Sequence, residues 1–212
     1  KVFLNPKSLD LMKTIVSITT SDDDIVMDFF AGIGTTGHAV LEQNAIDHGK
    51  RRFILVQLPE LLDINDKNQK SAAEYCARLN KPMRITELTK ERVRRSSKLI
   101  LKEYENYTGD LGFRVFKLSS TNIKPWDPSI SEIETTIDEY IDHIKSDRSE
   151  QDILFELLLK LGLDLAVQIE SRDIANKQVY NIGYGVLLVC LATNIANAEI
   201  EPLSLGMIEW IK

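Results

Sequence analysis

Residues 25–58 read IVMDFFAGIGTTGHAVLEQNAIDHGKRRFILVQL, and the fold turns on them. An apolar, β-rich run (IVMDFF, 25–30) carries Asp28 and leads into Gly32, Gly34 and Gly37. A helical stretch from Thr35 to a closing Gly49 follows, and RRFILVQL (51–58) is a second buried strand bounded by charge and by Pro59. Strand, glycine turn, helix, strand is a βαβ unit, which implies a parallel sheet with a right-handed crossover. Upstream, Leu9, Met12, Ile15 and Val16 recur at helical spacing behind Pro6 and Ser8, which predicts a helix over 8–19.

Downstream, SAAEYCARLN (71–80) and TELTKERVRRSSKLILKEYENY (86–107) have helical patterns. The second carries Val93, Ile100, Tyr104 and Tyr107 along one apolar stripe and stops before Gly109 and Gly112. FRVFKL (113–118) returns as a strand. The turn-rich SSTNIKPWDPS (119–129) coincides with a change in charge: residues 1–118 hold 19 Lys and Arg against 16 Asp and Glu, net +3, while 119–212 hold 7 against 16, net −9. The domain boundary is therefore placed between 118 and 119, with different partners expected for the two parts. Beyond it, Ile130, Ile133, Ile137, Ile141 and Ile144 mark an acidic amphipathic helix, either core or subunit interface. DILFELLLKLG (152–162) is another helix, LAVQIE, QVYNIG and GVLLVCL are short strands, and LSLGMIEWIK (203–212) is a last helix.

The 212 residues are 43% hydrophobic, 27% charged and 7% aromatic, a globular composition with room for one large or two small domains. No run approaches the ~18 apolar residues of a membrane span, and KVFLNPKSLD lacks the apolar core of a signal peptide. A cytoplasmic protein without membrane partners is expected. Lys1 in place of an initiator methionine suggests a piece of a longer chain. Cys76 and Cys190 stand alone without metal-ligand spacing, so no metal is expected and both read as small apolar residues.

Glycines after a strand let a ligand approach the backbone, and the helix beginning at Thr35 offers unpaired N–H groups with a partial positive charge. That much serves a dinucleotide and S-adenosyl-L-methionine (SAM) equally. Asp28 separates them: a carboxylate at the strand's ligand end repels a pyrophosphate and attracts a ligand bearing an ammonium and a sulfonium. Glu60 follows the second strand, where ribose hydroxyls need an acceptor in either cofactor class. The alternative is a purely structural turn, with Gly37 serving close helix–strand packing.

DFFAGIGTTGHAV (28–40) resembles methyltransferase motif I of the β-class DNA amino-methyltransferases, with Asp28, Phe30, Gly32 and Gly34 matching DxFxGxG. The match is closest to the modification (Mod) subunits of type III restriction-modification systems. NPKSLDLMKTIV resembles the preceding motif X, RRFILVQLPE the motif II strand, and TKERVRR the helix after it. GFRVFKLSSTNIKPW, LLLKLGLDL and YNIGYGVLLVCL resemble the family's carboxy-terminal region, so the resemblance covers nearly the whole chain. It departs at Ile33, where the family usually has a small residue, and at Ser8, where it usually has a second proline.

The resemblance implies an α/β fold: part of a Rossmann-like SAM-dependent methyltransferase domain (1–118), a parallel sheet with flanking helices, plus a smaller acidic α+β region (119–212). It implies transfer of methyl from SAM to adenine N6 of double-stranded DNA by a site-specific enzyme, a Mod homodimer and a restriction subunit. Asp28 would face the methionine amino group. The backbone of Phe30, Ala31, Gly32 and Gly34 would line its tail, with Thr35 and Thr36 capping the helix. Lys7 and Ser8 would approach the carboxylate end, and Glu60 would accept from the ribose. The DPPY-type catalytic motif and the target-recognition region would lie upstream of residue 1. WDPS (126–129) is read as a turn, so no catalytic residue is assigned and this piece alone is expected to be inactive. His38 is read as packing or solvent-facing. Lys90, Arg92, Arg94, Arg95 and Lys98 could neutralise phosphates or form a solvated face. The rival readings are a methyltransferase of another substrate class, an NAD-dependent oxidoreductase, or a docking or dimerisation module.

Overall fold

The computed structural model describes residues 7–124 and 144–211, so the isoleucine stripe up to Ile141 and the WDPS stretch lie outside the described residues. The chain divides into two compact units, Lys1–Gly112 and Phe113–Lys212. The architecture is mixed α/β, with one small parallel sheet and one antiparallel sheet. Among the described residues, no helix is long and apolar enough to cross a membrane.

The first unit begins with helix α1 (Leu9–Thr19), whose N-cap Ser8 accepts from the Leu11 N–H at 3.4 Å. Strand β1 (Ile25–Asp28) pairs in parallel with β2 (Arg52–Leu55), and helix α2 (Thr35–Asp47) connects them, as the βαβ reading requires. β1 ends at Asp28 rather than at Phe30 because the Asp28 carboxylate accepts the Phe30 N–H at 3.0 Å and curls the chain into the turn. Val26 and Phe53 pack with Val16, Ala39 and Val40 into a core shared by α1, α2 and the sheet. Their neighbours Ile25, Met27, Ile54 and Val56 are 44–51% exposed, so the sheet alternates between a packed and an open face.

Helices α3 (Lys70–Arg78) and α4 (Ile85–Glu103) follow. Ala72, Ala73 and Cys76 of α3 bury against Ile85 and Leu88 of α4, and Ile33 joins this cluster. Ile33 of the glycine turn is thus partly buried against this cluster. Val93 and Ile100 of α4 are 1% exposed, in line with the predicted stripe, but the helix stops at Glu103, before Tyr107. A Cβ at Gly37 would come 2.9 Å from Leu55 and 3.5 Å from Val93, so this glycine lets α2 pack closely between β2 and α4.

In the second unit, helix α5 (Glu150–Lys160) is opened by a reciprocal Ser149/Asp152 cap. A meander of β3 (Ile169–Ile174), β4 (Lys177–Ile182) and β5 (Leu187–Cys190) pairs antiparallel in sequence order. Leu154 and Leu158 of α5 pack on Tyr180 and Ile182 of β4. Helix α6 (Asn197–Trp210) starts six residues earlier than expected and contains Pro202. Cys76 is buried, whereas Cys190 is only partly so.

FRVFKL forms no strand. Side chains fix it instead: the Arg114 guanidinium donates to the Leu165 and Val167 carbonyls, and Phe116 meets Phe155 edge-on at 4.9 Å. These contacts group residues 113–118 with the second unit, ahead of the boundary expected at 118/119.

Candidate functional site

The carboxyl end of β1 gathers a small polar constellation. Asp28 receives the Thr36 hydroxyl at 2.5 Å and the Phe30 N–H at 3.0 Å, and the Lys7 ammonium lies 3.6 Å away. Burial pushes the Asp28 carboxyl up, but Thr36, Phe30 and Lys7 together outweigh it and hold it below its ordinary value. The result is a persistent carboxylate at the mouth of the turn, its side chain 13% exposed.

The turn is left-handed at Gly32 (φ 53°) and Gly34 (φ 79°), and Gly34 is the N-cap of α2. The threonines therefore do not cap the helix. Thr35 and Thr36 are its first two residues, each 3% exposed, and Thr36 spends its hydroxyl on Asp28. Ala31 is buried and donates its N–H to the Val56 carbonyl at 3.1 Å, while the Phe30 side chain is 84% exposed. A Cβ on Gly32 would meet only the Phe30 carbonyl at 4.0 Å, so the backbone there is open to a ligand; a Cβ on Gly34 would meet Thr89 at 3.0 Å.

Two residues that the sequence reading did not single out hold this turn. The Gln57 side-chain oxygen accepts the Gly32 N–H at 2.8 Å, and the Thr89 hydroxyl donates to the Gly32 carbonyl at 2.5 Å. Gln57 follows β2 and Thr89 lies on α4, 57 positions from Gly32, so no local pattern marks either one.

The structure brings Lys7, Asp28, Phe30 and Thr36 together, with Gly32 and Gly34 adjoining. Ser8 serves α1 as its cap. Glu60 is exposed in the loop after β2, its carbonyl accepting from the Ile85 N–H at 3.1 Å, and no hydrogen bond joins it to the Asp28 group among the described residues. His38 is largely buried with neither ring nitrogen hydrogen-bonded among the described residues, its Nε2 lying 3.5 Å from Glu42. Burial, then the Arg92 charge, pushes its pKa down.

The basic helix is mostly paired within itself. Lys90 binds Glu87, Arg95 binds Glu91 at 2.7 Å, and Arg94 lies 3.9 Å from Glu91. Arg92 is half-buried, and Lys98 is exposed. Much of this positive charge, read from the sequence as either a phosphate-neutralising or a solvated face, is thus balanced by neighbouring carboxylates.

The sequence profile of a family described as DNA methylase matches residues 1–58, which contain Lys7, Asp28, the glycine turn and Gln57. Over 119 residues, 56% of this chain, the sequence is 34% identical to the Mod subunit of the type III restriction-modification enzyme StyLTI of Salmonella typhimurium. It is 36% identical over 115 residues, 54% of the chain, to the EcoPI Mod subunit of Escherichia phage P1. It is also 42% identical over 57 residues, 27% of the chain, to the type II methyltransferase M.KpnI of Klebsiella pneumoniae. These stretches amount to 17%, 16% and 14% of the respective relatives, so the chain corresponds to a small part of each. The amino-terminal segment built around Asp28 and the glycine turn is thus similar to the DNA methylase family, and about half of the chain is similar to type III Mod subunits.

Proposed function

We propose that the protein to which this chain belongs is a SAM-dependent DNA adenine-N6 methyltransferase of a type III restriction-modification system, with residues 7–36 contributing the methyl-donor site. The observation that carries the reading is the Asp28 carboxylate, kept ionised beside a glycine turn whose backbone is open at Gly32. A fixed negative charge there favours a ligand with an ammonium and a sulfonium and disfavours a pyrophosphate.

The residues present fit such a cofactor. Asp28 would receive the methionine ammonium, and the backbone from Phe30 to Gly34 would line the tail. Lys7, already drawn to Asp28, would meet the methionine carboxylate. Bound SAM supplies an electrophilic methyl on a sulfonium, and this chain's part is to bind and orient it. Gln57 is tied into the turn through the Gly32 N–H, and Glu60, exposed in the loop after β2, would accept from the ribose hydroxyls. The Rossmann-like completion of the sheet, presentation of a flipped adenine, duplex DNA binding, Mod dimerisation, association with a restriction subunit and cytoplasmic residence all belong to this reading of the parent protein. The open sheet face at Ile25, Met27, Ile54 and Val56 accords with it, since parallel sheets are normally covered on both sides.

The test is calorimetric titration of the chain with SAM and, separately, with NAD, on the wild type and on Asp28→Asn, which keeps the shape and removes the charge. SAM binding weakened at least tenfold by the substitution, with NAD silent, is the expected result; each tenfold corresponds to about 1.4 kcal/mol. Preference for NAD would overturn the reading in favour of an oxidoreductase.

A further inference from the structure

We propose that Thr89 is a positioning residue for the glycine turn, acting from α4 with Gln57 as its counterpart from the end of β2. This deepens the donor-site reading above and rests on it for the affinity arm of the test.

Gly32 has both backbone polar groups taken by side chains remote in sequence: its N–H by Gln57 and its carbonyl by Thr89. The two peptide planes flanking Gly32 are thereby fixed from opposite sides. A left-handed glycine without such ties samples many conformations, because it has no Cβ to restrict it. A Cβ at Gly34 would come 3.0 Å from the Thr89 methyl and 3.3 Å from its carbonyl, a tight fit beside a glycine that is already left-handed. Thr89 is 8% exposed, and its hydroxyl also lies 3.2 Å from the Ile85 carbonyl, its own helix's acceptor. An interior helical threonine usually bonds that acceptor alone. Here the shorter bond goes across to Gly32. The packed α4 thus fixes the backbone whose open side faces the proposed ligand, and ligand binding is spared the ordering of the turn.

The two parts of the threonine are separable. Thr89→Val keeps the shape and loses the hydroxyl, whereas Thr89→Ser keeps the hydroxyl and loses the methyl. On the full chain, amide hydrogen exchange across residues 30–36 and calorimetric SAM affinity are measured for wild type and both variants, with amides of the α2 interior as internal reference. Thr89→Val is expected to speed exchange in the turn and weaken SAM about tenfold, as loss of one well-placed hydrogen bond would. Thr89→Ser should remain within about twofold of wild type on the same grounds. Unchanged turn exchange in Thr89→Val would overturn the proposal. Equal damage in both variants would overturn it too, by assigning the effect to packing. A wild type that shows the exchange pattern but is silent to SAM would uphold the clamp and sink the donor-site reading.

Discussion

At Asp28 one carboxylate serves the Phe30 N–H, the Thr36 hydroxyl and the Lys7 ammonium, and each favours the ionised form. Its identity was legible because a carboxylate before a glycine turn is chemically uneconomical unless something cationic uses it. Its partners were only partly legible: Thr36 stood out as a cap, but with Gly34 left-handed at the N-cap the threonine is carried into the first turn and onto Asp28. His38 shows the reverse case. The sequence left open whether it packs or faces solvent, and folding buries it within reach of the charges of Arg92, Glu42 and Lys13. Its pKa is lowered from 6.5, so the unfolded chain takes up a proton that the folded one resists. Stability is therefore full above about pH 6.5 and falls as the pH drops towards the depressed folded value. Urea unfolding between pH 8 and pH 5 should show this decline, and His38→Gln should flatten it.

Elements are joined through one buried cation. The Arg51 side chain, 3% exposed, donates to the Thr20 hydroxyl at 2.7 Å and to Asp47 at 2.9 Å, and the Arg51 backbone is bracketed by Asn44. It therefore fastens the end of α1 and the end of α2 to the start of β2. The same residue explains Gly49, where a Cβ would lie 2.3 Å from the Arg51 guanidinium. The helix itself ends one residue earlier, on a left-handed His48. Arg51→Ala takes the guanidinium from Asp47 and from Thr20 while leaving the backbone bonds to Asn44, and a loss of about 1–3 kcal/mol is expected in urea unfolding. A change below about 0.5 kcal/mol, the range of an ordinary surface substitution, would show that the fastening is dispensable.

On the scale of the whole molecule, the described residues form separate apolar clusters: Val16, Ala39 and Val40, and apart from them the Cys76 cluster, in the first unit, and Leu154, Leu158, Tyr180 and Ile182 in the second. The second unit also carries its own polar anchor. Glu156 accepts from the Thr121 hydroxyl, from the Asn122 N–H at 2.6 Å and from Lys160 at 2.9 Å, which brings its carboxyl down to about 2. Leu158 is fully buried, so Leu158→Ala should destabilise the second unit by about 2–5 kcal/mol. SAM titration at a temperature where both units remain folded should be unchanged. A parallel loss of SAM affinity would show that the second unit supports the site.

The sequence by itself determined the βαβ unit, the helices on either side of it, the strands that become β4 and β5, and the place of Asp28 and the glycine turn, because each is written in short-range periodicity and in residues with few alternative uses; LAVQIE meets β3 only at Ile169 and Glu170. It also carried the similarity of residues 1–58 to DNA methylases, since motif order survives in one dimension. Only the tertiary structure decided that residues 113–118 are tied by Arg114 and Phe116 instead of pairing as a strand, and that Gln57 and Thr89 hold Gly32. Those outcomes depend on which groups meet across tens of residues, and hydrogen bonds and ion pairs formed at such separations leave no local signature in the chain.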